Sequence, residues 1–101
     1  MEKERIQIDK RKIADFCRKN HIKKLALFGS VLRDDFRPES DVDILVELEP
    51  GHKIGFMGMA GMEIELSKMV GRKVDLRTPS ELSDYFRNEV LSKAEVQYEA
   101  R

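Results

Sequence analysis

The stretch Gly29-Ser30-Val31-Leu32-Arg33-Asp34-Asp35-Phe36-Arg37-Pro38-Glu39-Ser40-Asp41-Val42-Asp43-Ile44-Leu45-Val46-Glu47-Leu48 decides how this chain is read. In its second half Val42, Ile44, Val46 and Leu48 recur at every second position, the pattern of a strand with one apolar face. The same period turns Asp41 and Asp43 to the opposite face together. Carboxylates this close repel, and a divalent cation between them relieves the repulsion. Hard oxygen ligands favour magnesium, which keeps several waters and shares its shell with substrate phosphates. In the first half, Gly29-Ser30 directly follows Lys24-Leu25-Ala26-Leu27-Phe28, which reads as a short buried strand. Glycine lets a backbone approach a bulky anion, and a helical turn starting at Val31 would aim its free N–H groups at that anion. The Ser30 hydroxyl adds a donor, and Arg37-Pro38-Glu39-Ser40 is turn chemistry. One strand end thus offers phosphate donors and its neighbour offers metal ligands. A nucleoside triphosphate carrying magnesium satisfies both.

Working outward, a helix is expected from about Asp9 to Asn20. Asp9 is its N-cap, Ile8 staples onto Ile13, and Ile13, Phe16 and Cys17 form an apolar stripe. Downstream, Glu49-Pro50-Gly51-His52 breaks the strand. Met59, Met62, Leu66 and Met69 then return at helical spacing up to Val70, with Gly71 as C-cap. Gly55, Gly58 and Gly61 weaken the start of that helix, so its beginning, about Met59 by the apolar spacing, is left open. Lys73-Val74-Asp75-Leu76 reads as a short strand able to lie beside Asp41 to Leu48. Its Asp75 is a third carboxylate, suited to ligate a metal or to take a hydroxyl proton in a transfer governed by positioning and charge. Thr78-Pro79-Ser80-Glu81 turns into a last helix from about Ser80, and Ala94 to Ala100 is expected to be extended or frayed. The order helix, strand, strand, helix, strand, helix predicts an α/β (α+β) fold with one small sheet flanked by helices. The link between the first two strands is too short for an ordinary parallel crossover, so the sheet should be mixed.

The 101 residues are expected to form a single domain, 1–101, with a modest core. With 41% hydrophobic and 38% charged residues, the composition is that of a soluble globular chain. Formal net charge is zero, so no strong field draws in nucleic acid. Lys10-Arg11-Lys12 and Lys23-Lys24 read as solvated faces, and no direct nucleic-acid partner is expected. No apolar run approaches the ~20 residues of a membrane span, and the charged start MEKERIQIDKRK lacks the apolar region of a secretory signal. A single cysteine, Cys17, accords with a reducing cytoplasm. His21 and His52 have no partner at metal-ligand spacing and read as solvated. Arg77 reads equally as a phosphate contact or as half of a surface ion pair.

In combination, GSVLRD, SDVDILV and the later VDL resemble the polymerase-beta-type nucleotidyltransferase superfamily. More narrowly, the chain is similar to the minimal nucleotidyltransferase (MNT-domain) proteins that act as antitoxins beside HEPN-domain toxins. Their pattern is GSxxRG, a short turn, SDxDLLV and a VDL on a third strand. The resemblance runs from the strand before Gly29 to the helix after Pro79 and implies the palm-like nucleotidyltransferase fold. Carried over by position, it implies that Gly29 and Ser30 hold the triphosphate and that Asp41 and Asp43 bind magnesium, with Asp75 completing a catalytic, metal-binding carboxylate triad. Arg33 and Ser40 fall on the nucleotide side of the motif, Arg33 bracing Asp41 or the turn and Ser40 capping the strand start. The motif glycine after the arginine is Asp34 here, a negative charge that would oppose a triphosphate if turned inward.

The implied activity is magnesium-dependent transfer of AMP from ATP to a hydroxyl, that of a tyrosine, on a partner HEPN toxin, which silences it. A chain this short leaves no room for an acceptor-gripping domain, so the acceptor is expected on another molecule or on a second copy; a sheet with an open edge invites a homodimer. Two other readings stand beside this one. The first is a binding module that neutralises its partner by contact, motivated by Met57-Gly58-Met59-Ala60-Gly61-Met62. The second is transfer to a small molecule such as an antibiotic, against which the missing acceptor domain counts.

Overall fold

The computed structural model describes residues 8–29, 41–82 and 84–100, without the side chains of 81 and 84–86. The helical turn expected over Val31 to Phe36 and the turn at Arg37 to Ser40 lie outside the described residues. The first helix, α1 (Lys10–Lys19), starts where expected because Asp9 caps it: its Oδ1 accepts from the Arg11 and Lys12 amides at 3.0 and 3.3 Å. Arg18 and Lys19 in its last turn suit the negative end of the helix dipole. Ile13, Phe16 and Cys17 are buried, as their spacing predicts.

Strands β1 (Ile22–Phe28) and β2 (Val42–Leu48) pair antiparallel, and β2 pairs parallel with β3 (Val74–Arg77). The sheet is mixed, as the short connection requires. The tail resolves into a fourth strand, β4 (Glu95–Glu99), antiparallel to β1, so the order is β3-β2-β1-β4. Its sequence EVQYE alternates Val96 and Tyr98 with polar residues, but the run is short and Val96 remains exposed. Pairing with β1, extended by the Ala100 amide donating to the Lys23 carbonyl at 2.7 Å, makes it a strand.

Helix α2 (Phe56–Val70) begins three residues before Met59, which settles the start that the glycines left open. Gly55 is the N-cap, and Ile54 and Met59 flank it at staple positions, both packed against the core. Gly58 makes this entry feasible, since a Cβ there would lie 2.6 Å from Ile54 Cγ1. Gly71 closes the helix in the left-handed region at φ 75°, as predicted. The last helix is split: a 3₁₀ turn at Pro79–Glu81 precedes α3 (Asp84–Lys93). The Arg87 guanidinium donates to the Pro79 and Leu82 carbonyls at 2.9 Å each, so α3 holds the turn that precedes it.

One face of the sheet carries the core. Leu25 and Leu27 of β1, Val42, Ile44 and Val46 of β2, and Val74 and Leu76 of β3 pack with the stripe of α1 and with Met62 and Leu66 of α2. Leu66 is fully buried, and Leu66→Ala should destabilise the fold by about 2–5 kcal/mol, read as a drop in the urea midpoint. Burial pushes the Cys17 thiol up to about 12, with Arg18 pulling the other way. An exposed thiol in the unfolded chain ionises near ~8.5. Between those values the native state binds more protons, so stability is full below the window and falls as pH rises through it. Wild type should therefore lose stability faster than Cys17→Ala above about pH 9, measured by urea melts across the alkaline range. Among the described residues no helix is long and apolar enough to cross a membrane.

Candidate active site

The residues between the core positions turn to the other face of the sheet; they include Asp43 and Asp75, with the buried Ala26 and Leu45 beside them. Asp41 immediately precedes β2 and is exposed; Asp43 is half-buried within it, between the fully buried Val42 and Ile44. The parallel register sets Val42 beside Val74, Asp43 beside Asp75 and Ile44 beside Leu76. Asp43 and Asp75 are thus side by side on neighbouring strands, about 4.8 Å apart in backbone spacing, and face the same way. The strand pairing that the sequence only permits is present.

Helix α2 fixes β3 at the sheet edge. The outward amides of Val74 and Leu76 donate to Ser67 Oγ at 3.0 Å and to Glu63 Oε2 at 2.8 Å, two side chains one helical turn apart. The Val42 amide donates to the Lys73 carbonyl at 2.9 Å, bracing the start of β2. Asp75 also accepts from Arg77 Nη2 at 3.3 Å, so of the two roles open to Arg77 the structure shows the ion pair.

The third wall is β1. Phe28 pairs with Asp43, and the chain leaves the strand at Gly29 with φ 75°. A Cβ on Gly29 would run into the Asp43 carboxylate, overlapping Oδ2 and reaching Cγ at 3.1 Å. Glycine is therefore required twice, for its backbone angle and for the space that brings the main chain against an acidic side chain. Gly29, Asp43 and Asp75 lie across three adjacent strands, with the exposed Asp41 just before β2. Ser30, Arg33, Asp34 and Ser40 lie outside the described residues.

The adjacent pair Asp43 and Asp75, beside a backbone stripped of its Cβ, offers oxygen donors of the kind a hard divalent cation takes while sharing its shell with phosphate oxygens. A groove of about 430 Å³ opens beside Asp75, lined by Ile54, Phe56, Met59, Glu63 and Arg77 among others.

Residues 10–96 match the model of the nucleotidyltransferase domain family, and the chain belongs to that family. It is 31% identical over 85 residues to a Methanocaldococcus jannaschii protein named "Putative protein adenylyltransferase MJ0435", covering 84% of this chain and 89% of the relative. A chain of a toxin–antitoxin crystal structure with AMP-PNP superposes with a TM-score of 0.73 at 20% identity, over 93% of this chain and 76% of that one. A chain from the complex of tri-AMPylated Shewanella oneidensis HEPN toxin with MNT antitoxin superposes at 0.65 and 20% identity, over 90% and 70%. At these identities the structural likeness is one of fold, and it is the nucleotidyltransferase fold.

A second cluster was not legible in the sequence. His21 and His52, 31 positions apart in the chain, stack with ring centroids 4.0 Å apart beside Glu49. The antiparallel pairing of β1 with β2 closes that distance, and no spacing rule within one segment reports it.

Proposed function

We propose that the chain is a magnesium-dependent protein adenylyltransferase that moves AMP from ATP to a tyrosine hydroxyl of a HEPN-type toxin and thereby acts as its antitoxin in the cytoplasm. The observation that carries this reading is the registered pair Asp43–Asp75 set against the Cβ-less Gly29. Asp41 and Asp43 hold the cation, and Gly29 with Ser30 receives the triphosphate, Arg33 and Ser40 supporting that side of the site. The bound cation supplies charge neutralisation along the phosphates. The acceptor hydroxyl oxygen attacks the α-phosphorus, the bond from that phosphorus to the pyrophosphate oxygen breaks with pyrophosphate leaving, and Asp75 takes the hydroxyl proton; Asp75 would also help Asp41 and Asp43 hold the cation. Arg77, held at 3.3 Å from Asp75, keeps that carboxylate aimed into the site. The apolar wall of Ile54, Phe56 and Met59 gives an aromatic acceptor a surface to lie on.

The name of the archaeal relative and the AMP-modified toxin in the structural neighbour's complex support this choice of acceptor and partner. The test is transfer of label from α-labelled ATP to the co-purified partner, with magnesium supplied. Label on the partner is expected, and none with all components present would sink the proposal.

One observation favours the contact reading. Phe56 and Met57 at the start of α2 are 88% and 84% exposed, whereas Met59 and Met62 of the same segment turn to the core. Replacing Asp41 and Asp43 together by Asn separates the readings: neutralisation that survives favours contact, and neutralisation lost from an intact complex favours chemistry.

A further inference from the structure

The β1–β2 pair has two ends. The aspartates occupy one, and at the other the chain enters β1 from His21 and leaves β2 at Glu49, beyond the pair Ile22–Leu48. The Glu49 amide donates to the His21 carbonyl at 2.9 Å, and the His52 amide donates to the Glu49 carbonyl at 3.0 Å, closing a turn in which Gly51 takes φ 84°. His21 itself sits in the left-handed region at φ 57°. These backbone bonds bring three side chains to one place. The rings of His21 and His52 stack with centroids 4.0 Å apart and planes 11° from parallel, and His21 Nδ1 lies 3.8 Å from Glu49 Oε1. One ligand atom from each of the three lies within 4.8 Å of the others.

We infer that His21, Glu49 and His52 form a second cation site, selective for a borderline transition cation such as Zn²⁺ over Mg²⁺. The donor chemistry sets the class. Two imidazole nitrogens and one carboxylate are a common three-ligand set for zinc, which leaves a fourth position to water. Imidazole nitrogen is a poor donor for Mg²⁺, whose preference is oxygen, so the two ends of the sheet discriminate between the two metals. Tetrahedral zinc with bonds of ~2.0–2.1 Å needs donors about 3.3 Å apart. The donors must draw in by up to roughly 1.5 Å from their widest spacing, and the stacked rings must fan open. His21 and Glu49 side chains are 55% and 40% exposed, so rotation about their own torsions accomplishes this with the backbone in place.

The site is separate from the carboxylates described above: Glu49 lies six positions along β2 from Asp43, roughly 20 Å at ~3.3 Å per residue. Its place gives it a structural role. The cation ties the α1–β1 turn to the connection that leaves β2, and the far end of that connection, Ile54 to Phe56, lines the groove beside Asp75.

The test is calorimetric titration of ZnCl₂ alone into the metal-stripped full chain, in excess Mg²⁺, with a thermal melt of each sample. We expect one equivalent bound and a melting temperature raised by zinc in wild type. Asp41→Asn with Asp43→Asn should leave both readouts unchanged. His52→Ala, and His21→Asn, whose side chain tolerates the left-handed backbone, should each weaken binding at least tenfold and remove the thermal shift. Both histidines are exposed, and circular dichroism of each variant checks that it is folded. Absence of saturable zinc binding in wild type overturns the inference, as does binding unchanged in the folded histidine variants or abolished by the aspartate pair alone.

Discussion

Asp43→Asn is expected to lower AMP transfer by about a thousandfold, near 4 kcal/mol at 1.36 kcal/mol per decade, while the melting temperature stays at or above that of wild type. The amide keeps the shape of the side chain and removes its charge, so the half-buried position beside Asp75 and Gly29 remains filled. What is lost is the central oxygen ligand of the proposed cation site, and raising the magnesium concentration should not restore the rate. Like charges placed directly across from one another in a sheet destabilise it by up to about 1 kcal/mol. Asp43 and Asp75 are such a pair, with Arg77 offsetting part of the repulsion at Asp75, so neutralising Asp43 adds no like-charge cost to the fold. A kcat/KM measurement alongside a thermal melt checks both halves. A proportionate loss of activity and stability would show that Asp43 acts by holding the fold.

Gly29→Ala should fail in the opposite manner, losing activity and stability together. A left-handed backbone costs an L residue about 1–2 kcal/mol, and the chain leaves β1 at φ 75°. The new methyl also meets the Asp43 carboxylate, so either the strand end withdraws or the carboxylate rotates out of line. Transfer should fall at least about a hundredfold, the typical effect of removing one positioned group. The melting temperature should fall by about 4–8 °C for each kcal/mol lost in a domain of this size. Activity preserved in a folded Gly29→Ala chain would remove Gly29 from the site.

Much of this arrangement was legible in the sequence, because its determinants are local. Alternation at Val42, Ile44 and Val46 reports the strand and its buried face, and the same period reports that Asp43 takes the other face. Asp9 and Gly71 announce the helix ends because cap chemistry is carried by a single side chain or a single backbone angle. Elements set by distant partners were harder to read. β4 exists because β1 has a free edge, and the start of α2 depends on Ile54 folding against Gly58. The alignment of Asp75 with Asp43 was inferable as an option, but its register is held by Ser67 and Glu63 of α2, which no strand pattern announces. Nor could spacing show His21 and His52 meeting, since that contact belongs to the sheet.

The account turns on whether the carboxylates perform chemistry on a partner protein. Mass spectrometry of the partner toxin, co-expressed with wild type or with the Asp41→Asn, Asp43→Asn chain, tests this most directly. The account predicts AMP on a tyrosine of the toxin with wild type, and unmodified toxin in an intact complex with the variant. Toxin neutralised by wild type without modification, or modified equally by the variant, would contradict it.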